Sequence, residues 1–153
     1  MNVEGERFAE GAGVSPQRAA EMRSVAERVT RWAAGRGDVA GLLLVGSCAR
    51  GAPRSDSDVD LLLLSRAPDA YAAEDGWLRE LSLGEVVRVR AWGPVTEWRQ
   101  VTASGLEVEL CVGSTSWART DPVDGGTRRV VTDGARPLYD PAGMLATLIR
   151  ACG

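Results

Sequence analysis

At 153 residues, 44% apolar and 25% charged, the chain is long enough to bury one core without disulfides or a structural metal. It contains no histidine and no lysine, so all 18 basic residues are arginine, and Ser/His/Asp and Cys/His catalysis are excluded. A net charge of −3 argues against nucleic acid as the main partner, because polyanion binding relies on a basic face. Cys48, Cys111 and Cys152 are widely spaced, and without histidine they complete no zinc site. No stretch approaches the length needed to cross a bilayer, and the acidic, Gly-rich start has no signal-peptide character, so the expectation is a cytoplasmic protein without a membrane partner.

In chain order, residues 1–14 read as a flexible leader and 15–153 as one domain. Ser15-Pro16 is an N-cap followed by proline at the first helical position. Met22, Val25, Val29, Trp32 and Ala33 then recur on one helical face until Gly35 and Gly37 stop the helix, and Trp32 is read as core. Two apolar runs follow, Val39 to Val45 and Val59 to Leu64, which predict strands flanking a tight loop or short helix. Between them, Gly46-Ser47 at a strand end lets backbone N–H groups approach a phosphate, with Arg50 and Arg54 nearby. Asp58 and Asp60 project from the same side of the second strand, because strand side chains alternate. Two like charges on one face are costly unless a cation lies between them, and hard oxygen ligands in that pattern suit Mg²⁺ carrying a triphosphate.

Gly46-Ser47, ten residues from Cys48 to Ser57, then Asp58-Val59-Asp60-Leu61 resembles the signature of the minimal single-domain nucleotidyltransferase fold of the DNA polymerase beta superfamily. The Ala49-Arg50-Gly51 insert and Ser57 are also in keeping with it. The resemblance implies transfer of a nucleoside monophosphate from an NTP, ATP foremost, to a hydroxyl, with release of pyrophosphate. On that reading Asp58 and Asp60 hold two Mg²⁺ ions about 4 Å apart. The Gly46 backbone and the Ser47 hydroxyl grip the β and γ phosphates, Arg50 offsets charge on the leaving pyrophosphate, and Ser57 joins the nucleotide-binding set.

After the second strand, Ala70 to Leu81 reads as helical or irregular, interrupted by Gly76. Glu85 to Trp92 alternates as a half-exposed strand with Glu97 to Thr102 as its hairpin partner. In the strand Leu106 to Val112, Glu107, Glu109 and Cys111 share a face. The resemblance asks for a third carboxylate on a strand beside Asp-x-Asp, and both Glu107 and Glu109 meet that description. Glu109 is favoured, since it lies deeper in the strand than Glu107, which sits near Gly105. Beyond Gly113, Thr127 to Val131 reads as a short helix carrying Arg128 and Arg129, Pro137 to Pro141 as irregular, and Pro141 as the opening of a final helix. Trp117 reads as packed under a loop, and Arg128 and Arg129 as solvated. The order suits an α+β domain, a mixed sheet carrying the site on one edge with helices packed on one side.

Only about 40 residues follow Gly113, so an acceptor pocket built by this chain alone is expected to be shallow. A second copy can complete it for a small-molecule acceptor, as in small antibiotic nucleotidyltransferases. Otherwise the acceptor is a partner protein, as with minimal nucleotidyltransferase antitoxins that adenylylate a paired ribonuclease toxin. The alternative from another class is a nucleotide-binding or partner-binding module without turnover.

Overall fold

In a computed structural model, which describes residues 13–153, the Ser15 side chain accepts a hydrogen bond from the Arg18 N–H and starts helix α1, Pro16–Ala34. Of the expected leader, residues 1–12 lie outside the described residues. Helix α1 ends at Gly35, as expected.

The two apolar runs form β1, Val39–Val45, and β2, Val59–Ser65, joined through the single-turn helix α2, Gly46–Ala49. They pair antiparallel, with Leu42 opposite Leu63, Leu43 opposite Leu62 and Leu44 opposite Leu61. Leu42, Leu44, Leu61 and Leu63 pack with Met22, Val25 and Val29 of α1, while Leu43, Leu62 and Leu64 pack on the opposite face. Burial on both faces explains why these strands read as unbroken apolar runs rather than alternating ones.

The ambiguous stretch after β2 forms two short helices, α3 (Asp69–Ala73) and α4 (Gly76–Leu81). Aromatic packing holds them: the Trp77 ring lies 4.9 Å from that of Trp98 and 5.3 Å from that of Tyr71, both edge-on, and 5.8 Å from that of Trp32. Trp32 is half-buried in this cluster, and its indole N–H donates to Glu80. Nearby, Asp38 accepts hydrogen bonds of 2.6 Å from both Ser65 and Tyr71. Burial disfavours its charge, but these bonds and Arg36 outweigh that and hold its pKa below the usual value.

Strands β3 (Glu85–Trp92) and β4 (Val95–Val101) form a hairpin across Gly93-Pro94, and β4 continues the sheet onto β5, Glu107–Ser114. A 3₁₀ turn, Thr115–Ala118, leads on to helix α5, Gly125–Asp133, whose first turn is capped by the Asp124 carboxylate. Two expectations fail beyond it. Residues read as irregular form strand β6, Ala135–Tyr139, antiparallel to β1. Proline is tolerated there because β6 is an edge strand. The last helix, α6, is Met144–Cys152 and does not open at Pro141. Its first free N–H groups, on Leu145 and Ala146, are satisfied by the Asp140 carboxylate at 2.9 Å.

The six strands run β3-β4-β5-β2-β1-β6, with β2 and β5 parallel and the other neighbours antiparallel. The α+β class and the mixed sheet are therefore as expected. The arrangement of helices is not, because both faces are covered. Helix α1 covers one, and α5 and α6 cover the other through Val131, Leu145 and Leu148. The acidic strands β2 and β5 also lie in the middle of the sheet rather than at its edge. Among the described residues no helix is long and apolar enough to cross a membrane.

Candidate active site

Gly46 turns the chain out of β1 with φ of 75°, a conformation that L side chains avoid, and a Cβ there would lie 2.8 Å from the Asp60 carboxylate. The glycine is thus required twice, for its backbone angle and for the close approach of main chain to acid. Ser47 follows, half-buried, on α2. Cys48 is buried, and burial together with the charges of Asp60 and Asp58 pushes its thiol up to about 12, so it remains a neutral packing group.

Asp60 on β2 stands directly opposite Glu109 on the parallel strand β5, and Asp58 immediately precedes β2. One carboxylate oxygen from each of Asp58, Asp60 and Glu109 lies within 4.8 Å of the others. Glu107 falls outside that group and its side chain is 45% exposed. The preferred third acid and the two signature acids are therefore together in space.

The β3–β4 hairpin adds groups that sequence reasoning missed. Register places Arg88, Arg99, Glu109 and Asp60 in one row across β3, β4, β5 and β2. Arg99 donates to Asp58 at 3.0 Å and to Glu109 at 2.7 Å, and lies 3.3 Å from Glu107. Arg88 donates to the buried Glu97 at 3.1 Å and reaches within 3.7 Å of Glu109. The signal was present in the alternation of β4: Trp98 turns into the α1 core, which sends Glu97 and Arg99 to the opposite face. Its meaning depended on β4 lying beside β5.

Four carboxylates, Asp58, Glu97, Glu107 and Glu109, share three guanidinium groups, those of Arg88, Arg90 and Arg99, and Asp60 stands beside them within the acidic group. Burial, then contact with Glu97 and Asp60, raises the Glu109 pKa to about 8 despite Arg99. Burial raises that of Asp60 too, with Asp58 adding to the effect. Asp60 Oδ1 is buried without a hydrogen-bond partner, a cost of roughly 1–3 kcal/mol for a polar atom left so. Three converging carboxylates with one orphaned oxygen form a donor set that fits a hard divalent cation.

The remaining predicted residues shape the surroundings. Gly46, Ser47, Arg50, Arg54, Asp58 and Asp60 line a polar cleft of about 510 Å³. Arg50 is tied across it to α5, donating at 2.8 Å to the Asp133 carbonyl and at 3.3 Å to its carboxylate. The Ser57 hydroxyl accepts from the Arg54 N–H at 2.7 Å and so stiffens the loop before Asp58. A second cleft, about 580 Å³, shares Gly46 and Asp60 with the first and is walled by Trp92, Pro94, Trp117 and Val130. Trp117 is half-buried against the α5–α6 side, while Arg128 and Arg129 are exposed on α5.

A family model described as Nucleotidyltransferase domain matches residues 23–107, which include the signature. The chain belongs to the nucleotidyltransferase domain family. The matched stretch ends just before Glu109, so the grouping of Glu109 with Asp58 and Asp60 comes from the geometry of the sheet. Among solved structures, an aminoglycoside 6-adenyltransferase from Bacillus subtilis superposes with a TM-score of 0.46 at 12% identity. The superposition covers 64% of this chain and 36% of that enzyme, so the chain spans little more than a third of its length. No curated protein sequence matches the chain.

Proposed function

We propose that the chain is a Mg²⁺-dependent nucleotidyltransferase that moves a nucleoside monophosphate from an NTP, ATP foremost, to a hydroxyl of a small molecule or a protein. The acceptor oxygen bonds to the α-phosphorus, the bond from that phosphorus to the oxygen bridging to the β-phosphate breaks, pyrophosphate leaves and the hydroxyl proton passes to water. The observation that carries the reading is the cross-strand group of Asp58, Asp60 and Glu109 beside Gly46, with Asp60 Oδ1 lacking a partner. These three acids would hold the metal, which when bound offsets charge on phosphate oxygens and lowers the pKa of the attacking hydroxyl.

The chain's own groups do the rest. Gly46 leaves room for phosphate oxygens beside the main chain, and the Ser47 hydroxyl orients them. The polar cleft suits the triphosphate and the aromatic cleft suits the acceptor or the base. Arg50, fixed by Asp133, holds positive charge on the rim where pyrophosphate departs. Free thiols at Cys48, Cys111 and Cys152 accord with a cytoplasmic setting, and a second copy or a toxin-like partner protein belongs to the reading as a supplier of the acceptor site.

One observation favours the non-catalytic reading: Arg99 already bonds two of the three acids, so the cluster is partly satisfied without metal. Intact-protein mass spectrometry separates the two. The chain is incubated with Mg²⁺ and each NTP, with candidate small-molecule hydroxyls and co-purified proteins. A nucleotide-monophosphate mass gain on any acceptor, lost in Asp58→Ala, supports transfer. Calorimetric NTP binding with no transfer to any of them supports the binding module.

A further inference from the structure

Arg99 bonds two of the three acids that would hold a cation. One guanidinium nitrogen lies 3.0 Å from Asp58 Oδ2 and the other 2.7 Å from Glu109 Oε1, while the side chain is 18% exposed. A divalent ion held by those carboxylates would share them with the guanidinium. Two cations that close, in a partly buried site, repel strongly. The structure also contains somewhere for Arg99 to go. Glu107 Oε1 is 3.3 Å from the nitrogen that bonds Asp58, it points from the same face of β5 as Glu109, and it is 45% exposed. Glu107 therefore forms an ion pair with Arg99 without being part of the metal-competent group.

We propose that Arg99 is the resident counter-cation of the acidic site, and that a divalent ion loads by displacing it from Asp58 and Glu109 onto Glu107. The inference rests on the metal-dependent reading above and adds two things to it. Arg99 sets the affinity of the site for metal, and Glu107 is the acid that receives the displaced guanidinium. Arg88 sits at 3.7 Å from Glu109 but is held by Glu97 at 3.1 Å, so it remains in place during the exchange. Arg99 and Glu107 are positioning residues, since they act through Asp58 and Glu109.

The test is a Mn²⁺ titration of the full chain followed by electron paramagnetic resonance, with no nucleotide present. Removing a competing unit charge in Arg99→Gln should tighten Mn²⁺ binding about tenfold or more. Glu107→Gln should weaken it in the wild-type background and change it by less than about twofold in the Arg99→Gln background, because there is no longer a guanidinium to receive. Unchanged or weaker binding in Arg99→Gln overturns the proposal, since Arg99 would then be a strut that holds the acids together. An equal effect of Glu107→Gln in both backgrounds overturns the role of Glu107. If neither wild type nor Arg99→Gln binds Mn²⁺, the metal-dependent reading falls together with the proposal, whereas binding that ignores Arg99 removes the proposal alone.

Should Arg99→Gln fail to fold, nitrogen-15 NMR of the wild-type arginine side chains, with Arg99→Lys for assignment, gives the same decision. Saturating Mg²⁺ should shift the Arg99 guanidinium signals, and signals that do not respond contradict displacement.

Discussion

The central strands β1 and β2 and the outer hairpin of β3 and β4 are built on opposite principles. In β1 and β2 nearly every side chain is buried, and Leu43 with Leu62 faces one helical layer while Leu42 with Leu63 faces the other. In the hairpin, Val87 and Val89 are more than half exposed and the opposite face carries Arg88, Arg90, Glu97 and Arg99. One pair supplies stability and the other supplies charge to a site whose acids stand on β2 and β5.

The sharpest contrast comes from substitution. Leu63→Ala removes a fully buried side chain and should cost about 2–5 kcal/mol in urea unfolding. Val89→Thr on the hairpin should fall within about 0.5 kcal/mol of wild type, and a larger loss would mean that this face is covered in solution. Asp60→Asn inverts the pattern. It should lower nucleotidyl transfer about 100- to 1000-fold while raising the melting temperature of the metal-free chain, because it removes a buried charge and its repulsion with Asp58. A melting temperature that falls would show the acid to be structural.

Gly46→Ala tests the junction of the two systems. Forcing a side chain to φ of 75° costs roughly 1–2 kcal/mol, and the new methyl would press on Asp60, so transfer should fall more than stability does. A modest, pH-dependent effect is expected at Asp38. Its folded pKa lies below the unfolded value of about 4, so the stability it contributes is fully present above that pH and is lost as pH falls through the folded pKa. Asp38→Asn should therefore flatten the acid limb of the stability curve and leave stability near neutral pH modestly lower, both read from denaturation at a series of pH values.

What could be read from sequence follows the same division. The runs Val39 to Val45 and Val59 to Leu64 declare their strands because burial on both faces leaves no polar position to interpret. Gly46, Asp58 and Asp60 are legible because turn, spacing and charge lie within sixteen residues of one another. Glu109 could be preferred over Glu107 by its depth in the strand, yet its position opposite Asp60 is a fact of strand order. Arg99 was invisible for that reason: its partners are 41 and 10 residues away, and nothing local to Glu97–Arg99 names the neighbouring strand. Strand β6 was hidden by Pro137, which local rules read as a breaker and an edge strand accepts. The start of α6 was displaced from Pro141 because its cap is a side chain, Asp140, acting over five residues.

A crystal structure of the chain with Mn²⁺ and an NTP analogue whose α–β bridge cannot be cleaved, recorded at the manganese absorption edge, would locate metal and nucleotide together. Anomalous density is expected among the carboxylates of Asp58, Asp60 and Glu109, with the triphosphate against Gly46 and Ser47. Nucleotide bound elsewhere, or a metal position that leaves out Asp60 and Glu109, would contradict it.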